Sequence, residues 1–230
     1  MDKVSVTFMK SDGGLTQVGK FQGHQAILSG PAGGVVGYAK TTFNRTGSDS
    51  KAVIGFDMGG TSTDVSRYNG VMPTVYETTT AGVTVMTPQL DINTVAAGGG
   101  SKLTISKGGV MRVGPESVGS QPGPVCYRKG GDLAVTDANA VTGRVVKERF
   151  PKIFGPEENL PLDDEGSRSA FLGMISAEGG DIGGMELPES VAYGFIKIGE
   201  RQTRSGYFWE PKIAHSRTFV QDAPPPRPLQ

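Results

Sequence analysis

The chain has 230 residues, with 23 Lys and Arg against 23 Asp and Glu and a pI near 6.7. That length suffices for one or two cored domains, and the balanced charge lacks the basic excess that marks a partner of nucleic acid or of an anionic membrane. The 35 Gly and 15 Pro impose many tight connections, but the Gly cluster in short motifs between Val- and Ile-rich runs, which predicts a folded, loop-dense chain. A single cysteine, Cys126, excludes an intramolecular disulfide. With no apolar run of about 18 residues and no charged-then-apolar leader, a reducing, cytosolic setting is expected.

In chain order, Val4–Met9 (VSVTFM) alternates as a strand does, and Ser11–Gly14 (SDGG) supplies a turn. Ala26–Phe43 (AILSGPAGGVVGYAKTTF) predicts a helix, with Ser29 placed to cap it, Pro31 in its first turn and Val35, Val36, Ala39 and Phe43 as its apolar residues. Gly30, Gly33, Gly34 and Gly37 weaken such a helix, so a close neighbour against its backbone is expected, either a packed element or a ligand.

Lys51–Met58 (KAVIGFDM) reads as a buried strand, and Thr63–Gly70 (TDVSRYNG) as a second strand ending in an Asn-Gly turn. If Gly59–Ser62 form the hairpin loop, Met58 faces Thr63 and Asp57 faces Asp64, with opposed Cβ atoms about 5 Å apart. Two ionised carboxylates so placed repel unless a cation, a water or a shared proton lies between them. Gly59 and Gly60 let a turn form in which N–H groups converge, and Thr61, Ser62 and Thr63 add hydroxyls, as in an anion-binding nest. The pattern describes either a Mg-assisted phosphate hairpin or plain turn chemistry.

Further on, Pro88–Ile105 carries Asp91, Asn93 and a Gly98–Ser101 loop entering a strand. Gly114–Gly131 is a long Gly- and Pro-rich loop holding Cys126, Arg128 and Lys129, and Val135–Arg144 starts a helix capped by Thr136 or Asp137. Helices are also expected near Asp163–Ala177 and Pro188–Ile198, joined by a flexible connection over Glu178–Ser190. Cys126 has two readings: neighbouring cations favour a reactive thiolate, and burial favours a structural thiol. Arg128 and Lys129 are either a phosphate anchor or ordinary solvated charges. Asp91, Asn93, Gly99 and Ser101 are candidates for a substrate or interdomain loop. The P-loop pattern, a G-x-G-x-x-G after a strand, H-E-x-x-H and C-x-x-C are all missing, and His24 and His215 are the only histidines, which disfavours a zinc site or a Ser-His-Asp triad.

The segments LSGPAGGVVGY, GFDMGGTSTDVSRY, PQLDINTVAAGGGS, VGPESVGSQPGPVCYRKGG, VTDANAVTGR and FPKIFGPEENLPL occur in this order. Together, over about residues 4–198, they resemble the hydantoinase A/oxoprolinase family, and in particular its ATP-dependent 5-oxoprolinases of eukaryotic type. The resemblance implies an α/β (mixed α+β) fold, namely a partial actin-like, sugar-kinase-like ATPase lobe of the ribonuclease H-like kind. It implies ATP and Mg as cofactors and the opening of 5-oxo-L-proline to L-glutamate, with release of ADP and phosphate, in the glutathione cycle. It also implies a small-molecule substrate, no nucleic-acid or membrane partner, a cytosolic location and homo-oligomeric full-length relatives. By the same resemblance, Asp57 and Asp64 organise Mg and water as the catalytic pair, while Gly59, Gly60, Thr61 and Thr63 contact phosphate.

The chain also departs from the family pattern. A first phosphate hairpin, a later glycine-rich adenosine motif and a hydantoinase B-like region have no counterpart in it. Residues 1–198 are therefore expected to form a partial hydantoinase A/oxoprolinase domain with exposed sheet edges. Residues 199–230, ending in the proline-rich PPPRP, are expected to be a non-homologous, disordered tail. Two function classes stay open: a fragment of a 5-oxoprolinase that supplies its phosphate hairpin and is inactive alone, or a catalytically dead product acting only by association. N-methylhydantoin hydrolysis and ATP-dependent ketone carboxylation are the related chemistries.

Overall fold

The computed structural model describes residues 4–43, 51–80, 83–106 and 109–208. Short strands and one long helix occupy the first half of the chain, and helices the second. The first hairpin pairs β1 (Thr7–Met9) with β2 (Leu15–Gln17), a shorter strand than VSVTFM suggested. Its turn is closed by the Lys10 N–H on the Gly14 carbonyl at 2.8 Å and by the Gly14 N–H on Asp12 Oδ1 at 2.8 Å.

Helix α1 (Ser29–Thr41) follows. Ser29 is its first helical residue rather than its cap. The Leu28 N–H at the helix entrance is instead taken by the Ser11 hydroxyl at 3.0 Å, which itself donates to the Gln25 carbonyl at 2.8 Å. A distant serine thus does locally what sequence spacing assigned to Ser29. Ala32, Val35 and Ala39 are buried, while a Cβ added at Gly30, Gly33, Gly34 or Gly37 would meet nothing within 4 Å. The close neighbour expected at those glycines is not found among the described residues.

The sheet that matters for function joins β3 (Val53–Met58), β4 (Thr63–Tyr68) and β9 (Ile92–Val95) in the antiparallel order β3-β4-β9. Its register places Met58 opposite Thr63 and Asp57 opposite Asp64, as the hairpin loop length predicts. Central β4 buries Thr63, Val65, Ser66 and Tyr68. The buried character expected for β3 is corrected: Phe56, Asp57 and Met58 are exposed, because β3 is paired on one side only among the described strands. Between β4 and β9 lie the short pairs β5 (Thr74–Val75) with β8 (Gln89–Leu90) and β6 (Thr78–Thr80) with β7 (Val83–Val85).

The core sits against the hairpin of β10 (Ser101–Ser106) and β11 (Val110–Ser117). Leu103 and Val113 meet side chains of α2 (Val135–Val141), α3 (Asp164–Ala177) and α4 (Pro188–Phe208), with Phe171 and Phe195 fully buried and their rings 6.3 Å apart. Each such phenyl ring contributes about 1.5–3 kcal/mol on leaving water. Asp163 caps α3 by accepting from the Gly166 N–H at 3.0 Å. The connection from α3 to α4 is anchored by Ile182, buried in that core and paired through its backbone with Met185.

Helix α4 begins at Pro188, a residue suited to a first turn, and continues through Phe208. The expected end at Ile198 is therefore corrected. No proline interrupts the helix after Gly199, the Thr203 hydroxyl donates to the Gly199 carbonyl, and Lys197 pairs with Glu200 at 2.9 Å. The rest of the expected tail, 209–230 with PPPRP, lies outside the described residues. Among the described residues, no helix is long and apolar enough to cross a membrane.

Candidate functional site

Two glycine-rich loops stack backbone to backbone. The β3-β4 loop, Gly59–Ser62, closes with the Gly59 N–H on the Ser62 carbonyl at 2.9 Å. Beneath it runs Gly98–Ser101, with the Gly99 N–H on the Gly59 carbonyl at 3.0 Å and the Gly100 N–H on the Gly60 carbonyl at 2.6 Å. Glycine is required at this crossing: a Cβ on Gly98 would lie 2.6 Å from the Gly60 oxygen, and one on Gly100 would lie 2.9 Å from it. The lower loop is held in turn by Thr136 of α2, whose hydroxyl donates to the Gly99 carbonyl at 2.9 Å, and by the buried Ser101 hydroxyl, which accepts from the Gly98 N–H at 2.9 Å.

This stacking uses the carbonyls of Gly59 and Gly60 and leaves the other side of the loop polar. Gly60 and Thr61 are exposed, and the N–H groups of Gly60, Thr61 and Ser62 have no acceptor among the described residues. Successive donors on a tight turn are the makings of an anion nest. Thr63 stands apart from them. It is fully buried and its hydroxyl donates to the Ala97 carbonyl, so it ties the two loops together rather than facing a phosphate.

The carboxylates lie on one face of the sheet. Register places Asp57, Asp64 and Thr94 in one row across β3, β4 and β9, and the Thr94 hydroxyl donates to Asp64 Oδ1 at 2.6 Å. The next row is Gly55, Ser66 and Ile92. Tyr38 of α1 lies directly over Gly55, where an added Cβ would be 2.1 Å from its Cε1, and its hydroxyl donates to Ser66 Oγ at 3.0 Å. Burial pushes the Tyr38 phenol above its ordinary range. Between α1 and this face is a cleft of about 420 Å³ lined by Pro31, Gly34, Tyr38, Gly55, Asp57 and Asp64, among others. Sequence reasoning missed Thr94 and Tyr38. Alternation and register point to Thr94 once β9 is known to pair with β4, whereas nothing local points to Tyr38.

Asp91, Asn93, Gly99 and Ser101 do not come together as one loop. Gly99 and Ser101 belong to the lower loop, while Asp91 precedes β9, with its N–H on the Pro73 carbonyl at 2.9 Å. Asn93 sits opposite Val65, on the sheet face away from Asp64. Of the two readings of Cys126, the structural one holds. The thiol is fully buried, and burial followed by the charge of neighbouring Asp137 pushes it well above its ordinary range, although basic residues follow it in sequence. Arg128 and Lys129 point elsewhere, in ion pairs with Asp163 and Glu158, each at 2.9 Å. Native protein at pH 8 is accordingly expected to leave Cys126 unmodified by Ellman's reagent and to release one equivalent of thiolate colour only on denaturation.

The donor set fits Mg in a limited way. Asp57 and the second oxygen of Asp64 offer hard oxygen donors, and no larger group of His, Cys, Asp and Glu suited to a metal occurs among the described residues. Mg commonly takes one or two carboxylates and completes its octahedron with water and phosphate oxygens, which suits this pair beside an amide nest.

Comparison with known proteins places the family and the fold. The hydantoinase/oxoprolinase family profile matches residues 1–205. The 5-oxoprolinase 1 of Arabidopsis thaliana is 55% identical over 204 residues, which are 86% of this chain and 16% of that protein. Among solved structures, the ATP-dependent caprolactamase of Pseudomonas jessenii superposes with a TM-score of 0.63 at 28% identity, over 89% of this chain and 28% of its own. Nucleotide-free acetone carboxylase gives a TM-score of 0.70 at 24% identity, over 87% of this chain and 27% of its own, and shares the fold. The chain belongs to the hydantoinase/oxoprolinase family, and its mixed α/β fold matches part of the actin-like ATPase lobe of that family. It spans about 16% of the length of its 5-oxoprolinase relative.

Proposed function

We propose that this chain is the phosphate-hairpin part of an ATP-dependent 5-oxoprolinase. The observation that carries the reading is the juxtaposition of paired carboxylates, Asp57 and Asp64, with the amides of Gly60 and Thr61 at the tip of the same hairpin. The 55% identity to a 5-oxoprolinase supports the substrate, and the likeness to a caprolactamase supports ATP-dependent opening of a cyclic amide.

A lactam is a poor electrophile, and ATP with Mg, when bound, supplies a phosphoryl group that makes the lactam oxygen a leaving group. The chain's own contribution is positioning and charge neutralisation. The amides of Gly60 and Thr61 would donate to phosphate oxygens, and Asp57 and Asp64 would hold Mg and its water. Thr63, Ser101 and Thr136 hold the loops in register so that those donors need not reorganise. We assign this part of the enzyme nucleotide binding without turnover of its own. A cytosolic role in glutathione metabolism follows from the same reading.

Calorimetric titration of the 230-residue chain with ATP in the presence of Mg, run beside an assay for 5-oxoproline-dependent phosphate release, tests it. Saturable, Mg-dependent binding without phosphate release is expected. Asp57→Asn should weaken that binding by at least about tenfold, since one charge of the pair is lost while shape is kept. Absence of binding by the wild type, or an unchanged affinity in Asp57→Asn, would overturn the reading.

A further inference from the structure

We infer that Thr94 is a positioning residue for the cation held by Asp57 and Asp64, an inference that rests on the reading above. Thr94 is the third member of the row that crosses the sheet through the two carboxylates. Its hydroxyl donates to Asp64 Oδ1 at 2.6 Å, a short charge-assisted bond between two side chains 30 positions apart in the sequence. One Asp64 oxygen is thereby fixed, and Oδ2 has no partner among the described residues.

The geometry matters because Asp57 and Asp64 are directly opposed across the strands. Unconstrained, two like charges at cross-strand distance swing apart toward water. Asp64 is half-buried and Asp57 exposed, so both have room to do so. A donor on the far side of Asp64 holds one end of the pair in place, and the remaining oxygen is left for a hard cation. Such outer hydrogen bonds orient metal-ligating carboxylates and govern affinity more than they govern folding. Thr94 is itself exposed and at the sheet's surface, so its hydroxyl has no structural duty comparable to that of buried Thr63.

The test uses Mn2+ as the probe, followed by loss of the free-ion electron paramagnetic resonance signal on titration of the whole chain, with thermal unfolding measured in parallel. Wild type is expected to take up Mn2+ saturably. Thr94→Val, which keeps the branched shape, should raise the midpoint by about tenfold with unfolding unchanged, and Thr94→Ser, which restores the hydroxyl, should recover most of the affinity. If wild type takes up Mn2+ and Thr94→Val matches it, the role of Thr94 is wrong and the cation reading stands. If wild type takes up none, the cation reading fails and the role of Thr94 with it. A fall in affinity that Thr94→Ser does not restore would assign the effect to packing and overturn the proposal.

Discussion

Asp137→Ala is expected to leave the chain without a stable native state. Asp137 is fully buried at the third residue of α2, and its carboxylate joins three separate segments. Oδ2 accepts from the N–H groups of Ala134 at 2.8 Å and Val125 at 3.2 Å, and Oδ1 accepts from the Cys126 N–H at 2.8 Å and the Ser167 hydroxyl at 2.6 Å. Truncation removes these bonds and strands the donors away from water, at about 1–3 kcal/mol for each group left unsatisfied. The losses are not strictly additive, but their sum is comparable with the roughly 5–15 kcal/mol that holds a whole domain together.

Asp137→Asn separates this account from simple cavity formation. It keeps the volume but replaces one acceptor oxygen with an amide that points a donor at donors, so it too should destabilise strongly. Ser167→Ala removes only one of the bonds and should cost about 1–3 kcal/mol. Urea unfolding followed by far-ultraviolet circular dichroism measures all three. A folded Asp137→Ala chain with a near-native midpoint would show that the turn around Cys126 and the start of α2 are held by something other than this carboxylate.

The cross-strand pair was legible in the sequence because the loop Gly59–Ser62 fixes hairpin register, and register fixes which side chains oppose. The burial of β3 was not legible. An apolar run such as VIGFDM states what a strand tolerates, whereas its exposure depends on which strands lie beside it. For Cys126 the structural reading was legible, since a free thiol is commonly buried, and only the directions of its charged neighbours needed the fold. Arg128 and Lys129 follow it in sequence, yet the folded chain turns their charges toward Asp163 and Glu158 and places the thiol against Asp137. The role of Ser11 at the entrance of α1 and that of Tyr38 over Gly55 are tertiary pairings without any local pattern to announce them. The length of α4 was underestimated because its later turns are polar and carry no apolar stripe, although their side chains pair along the helix.

Gly98→Ala should abolish Mg-ATP binding while leaving the helical core folded. Its Cβ would lie 2.6 Å from the Gly60 oxygen, 2.7 Å from the Gly60 carbonyl carbon and 2.8 Å from the Gly59 oxygen. All three are backbone atoms of the hairpin loop, so no side chain can rotate away, and the two loops must separate. That separation breaks the Gly99 and Gly100 bonds to the Gly59 and Gly60 carbonyls and tilts the amides that would face phosphate. An overpacked site of this kind costs about 1–3 kcal/mol, less than the core of α2, α3 and α4 supplies. Binding suffers more than stability, because displacement of a preorganised donor by a fraction of an ångström is felt in full at the ligand. The contrast is Gly37→Ala in α1, where an added Cβ meets nothing within 4 Å. There the same chemical change should raise stability by up to about 1 kcal/mol through helix propensity, with binding unaltered. Calorimetric titration with Mg-ATP and thermal unfolding of both variants decide the matter. If Gly98→Ala binds as wild type does, the stacked glycine loops do not set the phosphate-facing geometry, and the site must be sought elsewhere on the sheet.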